Sequence, residues 1–181
     1  MVLSGQCKIN IFDRMVNMVD HYYILSKADG FAYPVTIVSS SKGVRQILFL
    51  SMETMIQELI KKNIPYTIDL TLPAAIELTQ YFRGRRHNFT VPVDIQGTKF
   101  QLQVWNALRD IPYGQTASYK DIALRIGRPN SFRAVGQACG ANPVPIIIPC
   151  HRVLTSDGRL GGFSSGIEKK IALLNLEGYL A

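Results

Sequence analysis

The sequence predicts a two-part α/β protein, with a small N-terminal sheet-plus-helix domain followed by a mostly helical C-terminal domain carrying a helix-turn-helix. Three observations carry this. β-Branched and aromatic runs fill the first half, helical periodicity dominates from Phe100 onward, and the character of the chain changes over residues 84–98. The predicted boundaries are residues 1–90 for the first domain, a linker to about 98, and 98–181 for the second.

In the first half, Phe31–Ser39 and Val44–Ser51 are strand-like runs separated by Ser40, Ser41, Lys42 and Gly43, which reads as a hairpin. Met52–Lys62 places Met52, Met55, Ile56, Leu59 and Ile60 at helical spacing. Pro73 suits the first position of a helix over Ala74–Phe82, which Gly84 stops. Arg83–Thr90, with Pro92 and Gly97 behind it, reads as an exposed connection, and Arg83, Arg85 and Arg86 as a solvated face.

In the second half, Phe100–Asp110 carries Val104, Ala107 and Leu108 on one face beside Trp105, read as core, and Ile111-Pro112-Tyr113-Gly114 ends it. Ser118–Ile126 opens on the capping-box pair Ser118 and Asp121, and Gly127-Arg128-Pro129-Asn130 turns the chain into Ser131–Gly140, giving two short helices about a Gly-containing turn. Pro143, Pro145 and Pro149 forbid a helix over Val144–Ile148, so that run reads as an extended, buried segment with Cys150 at its end. Ile167–Leu176 is helical, with Ile171, Leu174 and Leu176 offered to the core and Glu177-Gly178 closing it.

Composition narrows the function. The chain has 181 residues, 47% of them hydrophobic, enough for real burial. No run approaches a membrane span, and Met1–Arg14 lacks the layout of a signal peptide, so a soluble, cytoplasmic protein is expected. Cys7, Cys139 and Cys150 are odd in number and show no CxxC spacing, which argues for free thiols rather than a disulfide framework. Cys7, His21 and His87 are scattered, so no metal site is expected. A net charge of +7 suits a polyanionic partner without choosing among DNA, RNA and an acidic membrane.

The sharpest chemical feature is Pro149-Cys150-His151-Arg152-Val153, where a thiol has a base and a cation beside it. On a strand His151 would point away from Cys150 and reach it only around a bend or through one water. By itself an isolated Cys-His pair reads more simply as a buried structural cysteine.

The surrounding text resembles the O6-alkylguanine-DNA alkyltransferase family. It matches at Gly97-Thr98, Phe100-Gln101, Val104-Trp105, Ile111-Pro112, Gly114, Ser118-Tyr119, Ile122-Ala123, Gly127, Arg133-Ala134-Val135-Gly136, Gly140, Asn142-Pro143 and Ile148-Pro149-Cys150-His151-Arg152-Val153. The first half resembles the family only in layout and over Tyr81-Phe82 to Val91-Pro92. The resemblance implies DNA repair by stoichiometric, irreversible transfer of an alkyl group from O6-alkylguanine to Cys150. His151 would be the base acting through a water, and Glu177 the carboxylate that orients the imidazole. No cofactor is implied.

Further roles follow only from the resemblance. Asn142 would hold the turn and bond into the active-site loop, where alone it reads as a helix C-cap. Tyr119 would donate its hydroxyl to the extruded guanine, where alone it reads as half-buried packing. Arg133 would be the finger that fills the place of the flipped nucleotide, and a cation in a first helical turn does oppose the macrodipole. Ala134, Gly136, Ala138 and Gly140 would let the helix sit close to the minor groove, although small residues also suit ordinary helix packing. Lys120 and Arg128, by contrast, are candidate phosphate contacts at the helix-turn-helix on the strength of the chain's basic charge balance. Val153, Phe163, Ser164 and Lys170 would lie at the substrate pocket, Phe163 replacing the tyrosine of some relatives. The implied partner is double-stranded DNA bearing the lesion, met by a monomer. A cysteine hydrolase and a non-catalytic, DNA-binding relative are the competing readings. The first would turn over an ester or amide, and the second lacks the acceptor cysteine.

Overall fold

The computed structural model describes residues 23–179; Cys7, His21 and the segment Met1–Arg14 lie outside them. Strands β1 (Tyr23–Ala28), β2 (Val35–Ser40), β3 (Gly43–Leu48) and β4 (Tyr66–Ile68) form one sheet in the order β3-β2-β1-β4. The hairpin is β2 with β3, antiparallel, with a register shift at Val38/Ser39. Its first strand starts later than expected. Phe31 is drawn out of the sheet direction to stack on Phe82 at 4.7 Å, and Pro34, without an N–H, precedes the pairing. The sequence reading missed β1 and β4; β4 is three residues long and pairs in parallel with β1, too short to show a period.

Helix α1 (Met52–Lys61) is capped by Ser51, whose hydroxyl accepts from the Thr54 N–H at 3.2 Å. Met55 and Leu59 are buried, but Ile60, expected on the same face, is 63% exposed, because the sheet covers a narrower stripe than the spacing suggested. Helix α2 (Pro73–Phe82) begins at Pro73 as expected, and Gly84 at φ +67 ends it with its N–H on Tyr81 O. The connection beyond is tied down: Thr90 N–H donates to Glu77, and Arg86 bonds to Gln80 and pairs with Glu77 at 3.4 Å, correcting its reading as a solvated cation.

Residues 92–94 run beside β3, with Val44 N–H on Pro92 O at 2.9 Å and Asp94 N–H on Val44 O at 2.8 Å. Gly43 is required there, since a Cβ would stand 2.5 Å from the Pro92 oxygen. Helix α3 (Lys99–Arg109) opens on a Thr98/Gln101 capping box, α4 (Tyr119–Arg125) on the expected Ser118/Asp121 box, and α5 (Phe132–Gly140) follows the turn at Gly127. Short strands β5 (Ala117–Ser118) and β6 (Val153–Leu154) pair in parallel, and α6 (Ile167–Leu176) ends the described chain. Leu173 joins Leu174 in the core, whereas Ile171 and Leu176 are only half-buried.

One cluster forms the main core, from Ile37 and Ile47 of the sheet through Leu78 and Tyr81 to Trp105, Leu108, Ile122, Val135, Ile146, Cys150 and Leu173. It draws on both sides of residues 84–98. A smaller cluster of Leu25, Val38, Leu48, Met55 and Leu59 packs α1 on the opposite face of the sheet. Trp105 is core as expected, its indole N–H on Ala138 O at 2.9 Å. Among the described residues no helix is long and apolar enough to cross a membrane.

Val144–Ile148 is buried as expected but is not extended. It folds into a tight turn, closed by Ile148 N–H on Val144 O at 3.0 Å, with Ile146 at φ +78. A β-branched residue in that region is strained, and it is held there by fixed prolines on either side and by burial of its own side chain. Cys150 consequently opens a 3-10 turn, Cys150–Arg152, rather than ending a strand.

Candidate active site

The turn and the 3-10 segment bring Asn142, Cys150 and His151 together, and the end of α6 adds Glu177. Asn142 Oδ1 accepts from Val144 N–H at 3.1 Å, and its Nδ2 donates to Ile148 O at 2.8 Å and to Cys150 Sγ at 3.1 Å. One amide therefore braces the turn and touches the thiol. Burial pushes the Cys150 thiol up to about 11, partly offset by the Asn142 hydrogen bond and the Lys170 charge, so at rest it carries its proton.

His151 is fully buried, and its Nε2 lies 2.8 Å from Glu177 Oε1. Burial would raise the Glu177 carboxyl, but hydrogen bonds and charge from His151 and Arg152 hold it down at about 2. An ionised carboxylate only accepts, so Nε2 bears the ring hydrogen and Nδ1, which has no hydrogen-bond partner among the described residues, is the basic nitrogen. Burial also keeps the imidazole below its ordinary value, against the pull of Glu177, so His151 is neutral at pH 7.

Glu177 is itself buried. Arg152 grips it through Nε (2.9 Å to Oε2) and Nη2 (2.9 Å to Oε1) and donates Nη1 to Ile111 O at 2.6 Å. Tyr81 O–H donates to Oε1 at 2.6 Å and Gly114 N–H to Oε2 at 3.2 Å, while Tyr113 O–H fixes Leu176 O at 2.8 Å. Gly114, at φ +72, brings its backbone within reach; a Cβ there would stand 3.0 Å from Glu177 O.

The remaining candidates divide by depth. Tyr119, the first residue of α4, is half-buried between Gly136 and Gly161, and burial with the nearby Cys139 and Cys150 thiols raises its hydroxyl to about 12. Lys170 is buried and donates to Val153 O at 2.6 Å and to Leu160 O, tying the segment after Cys150 to α6; burial lowers its ammonium to about 8. Val153 is buried in β6, Phe163 is half-buried against Phe49 at 6.2 Å, and Ser164 is exposed. Lys120, Arg128 and Arg133 are exposed on α4, the turn and α5, with Arg128 lying 5.8 Å over the Phe100 ring. Gly136 and Ala134 are partly exposed beside them, whereas Ala138 points into the core. His87 stacks on Tyr113 at 4.0 Å.

Comparison with known proteins places this geometry. Residues 99–179 match the family described as 6-O-methylguanine DNA methyltransferase, DNA binding domain. The inducible methylated-DNA–protein-cysteine methyltransferase of Bacillus subtilis (strain 168) is 45% identical over 162 residues, covering 87% of this chain and 84% of that protein. The chain belongs to the methylated-DNA–protein-cysteine methyltransferase family. The crystal structure of the Mycobacterium tuberculosis O6-methylguanine methyltransferase superposes with a TM-score of 0.75 at 37% identity, covering 88% of this chain and 94% of that one. The same organism's OGT in complex with DNA gives 0.73 at 38% identity, covering 85% and 92%. The relatives thus share the N-terminal sheet as well as the helical part, where the first-half resemblance was weakest.

Sequence reasoning missed two side chains of this family member's site. Arg152 stood inside the Cys-His motif, but it serves Glu177 instead of standing free beside the thiol; its buried neighbours were the only clue. Tyr81 lies 96 residues from Glu177, and no local pattern connects them. A groove lined by Gln103, Asn106, Asp110 and Arg125 contains none of the predicted site residues.

Proposed function

We propose that Cys150 is the residue by which this protein, a methylated-DNA–protein-cysteine methyltransferase, takes the alkyl group from O6-alkylguanine in DNA. The observation that carries the assignment is the buried cluster itself. A thiol touches Asn142, and the histidine beside it has one nitrogen held by an ionised carboxylate and the other without a partner among the described residues. Cys139, also buried, is on α5 with no base beside it in sequence.

Because the resting thiol is neutral, reaction needs its proton removed as the bond forms. His151 Nδ1 takes that proton through a water, Glu177 steadies the imidazolium, and Asn142 stabilises sulfur as charge develops. Sγ then displaces the alkyl carbon from O6. The C–O bond breaks, the S–C bond forms, and the departing guanine receives one proton in net exchange for the thiol's, with the Tyr119 hydroxyl positioned to deliver it. No group in the site can hydrolyse a thioether, so one molecule repairs one lesion; the direct displacement itself calls for no cofactor.

The lesion must leave the stack to meet a buried sulfur, so we read α4 and α5 as a helix-turn-helix that faces the minor groove. Arg133 fills the gap, Ala134 and Gly136 allow close approach, and Lys120 and Arg128 contact phosphate. Val153, Phe163, Ser164 and Lys170 wall or brace the pocket. We further propose a domain boundary over residues 90–98 and a monomer working in the cytoplasm.

The test is intact mass and peptide mapping after incubation with a duplex containing O6-methylguanine. One methyl is expected on Cys150 and none on Cys139 or Cys7, Cys150→Ala should transfer nothing, and His151→Ala should slow transfer about a hundredfold with duplex affinity unchanged. A methyl on another thiol, or repair by Cys150→Ala, overturns the assignment.

A further inference from the structure

We propose that Tyr81 is a positioning residue for alkyl transfer: its hydroxyl, reaching from α2, shares Oε1 of Glu177 with His151 and limits how strongly that carboxylate holds the imidazole Nε2 hydrogen. The inference rests on Cys150 being the acceptor and His151 its base.

Tyr81 is completely buried at the last turn of α2, and its O–H donates to Oε1 at 2.6 Å, shorter than the 2.8 Å from His151 Nε2 to the same oxygen. Burial first, and the Glu177 charge second, raise the phenol well above its ordinary value, so it stays protonated and acts only as a donor toward the carboxylate. Its ring is wedged against Phe82, Phe89 and Tyr113, which fixes the direction of the hydroxyl.

A carboxylate paired with histidine alone raises the imidazole's basicity and favours a resting imidazolium, which cannot take the thiol proton. Charge around Glu177 and His151 is distributed against that outcome. Arg152 spreads over both oxygens, Tyr81 occupies Oε1, Gly114 N–H occupies Oε2, and the Arg152 and Lys170 charges oppose protonation of His151. Tyr113 lies near but spends its hydroxyl on Leu176 O, and Cys150 is neutral at rest. Tyr81 is therefore a neutral donor to the oxygen that holds the ring, and it comes from the half of the chain that carries no other group of the relay.

Tyr81→Phe deletes this hydrogen bond and keeps the ring. The rate of S-alkylation by free O6-benzylguanine, which requires no DNA, should be followed by intact mass from pH 5 to 8.5. The acid limb of the Tyr81→Phe profile should move to higher pH by about half a unit, since Glu177 then pulls harder on the imidazole hydrogen. Affinity for undamaged duplex should stay at the parental value. Tyr113→Phe, which loses a partly buried hydroxyl at the same helix end without touching the carboxylate, should leave the limb in place. A Tyr81→Phe profile that superposes on the parent, moves to lower pH, or is matched by Tyr113→Phe overturns the proposal. Should Tyr81→Phe melt too early for kinetics, the His151 imidazole titration read by 15N NMR in the cold gives the same decision. Failure of the parent to alkylate Cys150 would instead sink the function assignment.

Discussion

Residues 142–153 and residues 119–140 follow one another in the chain yet treat charge in opposite ways. In the first stretch Asn142, His151 and Arg152 are buried, and the Arg152 guanidinium is matched to Glu177 and to a backbone carbonyl. In the second, Lys120, Arg125, Arg128 and Arg133 stand in solvent, and acidic residues among them are few. A buried ion without its partner is costly, so the first region is charge-balanced by Glu177 from the end of α6; an exposed cation costs little and remains available to a polyanion. The lesson is that damage to the first region should strike stability and chemistry together, whereas damage to the exposed cations of the second should strike mainly DNA handling.

The largest effect expected from breaking this contrast is at Arg152. Arg152→Leu strands the Glu177 carboxylate, and the free energy of unfolding should fall by about 3 kcal/mol in urea titrations. Adding Glu177→Gln should recover part of that loss, because the stranded charge is gone, though alkyl transfer should stay slow. If the double variant proved less stable than the single, the ion pair would not be the source of the loss.

Acid should expose the same region. The Glu177 carboxyl is held at about 2 against an ordinary 4.5, so its contribution is complete above pH 4.5 and fades as pH falls toward 2. His151 is buried neutral below its ordinary 6.5, so the unfolded chain takes up the proton first and stability declines as pH drops below 6.5. Both act in one direction. Urea midpoints should decrease from pH 7.5 to 5.5 and again to 4, and midpoints that hold level or rise on acidification would contradict the buried, neutral histidine.

In the exposed region, Arg133→Ala should slow repair of a lesion within duplex DNA by about ten- to a hundredfold, the scale of an unstacking cost left uncompensated. Reaction with free O6-benzylguanine should be untouched. Equal impairment of both substrates would move Arg133 into the structural or catalytic set and dissolve the contrast. Lys120→Ala and Arg128→Ala should give the smallest changes, each weakening any duplex a few-fold and reducing the slope of log affinity against log salt by about 0.9. Loss of the Phe100 contact should add slightly to the Arg128 effect on thermal stability. A sequence-selective loss in either variant would mean a base contact rather than a phosphate contact.

Much of the fold was legible because its signals are local. Pro73 at a helix start, the Ser118/Asp121 capping box and Gly84 as a helix stop each act through neighbouring backbone groups, and each appears where the spacing put it. The Cys-His motif was likewise visible as an unbroken run. The errors lie where a local rule was overruled from a distance. Val144–Ile148 obeys the prolines in refusing a helix, but the choice of a turn over an extended strand was made by Asn142, whose side chain satisfies the Val144 and Ile148 backbone. That choice put Cys150 on a 3-10 turn and removed the alternation of faces on which the first reading of His151 depended.

The sequence by itself determined the reactive residue types, their order, the positive charge, and the helices whose caps and periods are written within a few residues. Tertiary structure alone decided that Arg152 belongs to Glu177, that Glu177 is a buried anion rather than a solvated one, and that Tyr81 from the N-terminal half shares it. The reason is physical. Caps and prolines act over one turn of backbone, whereas desolvation, which makes a carboxylate demand donors from four residues and leaves a thiol protonated, exists only once distant elements have closed around the group.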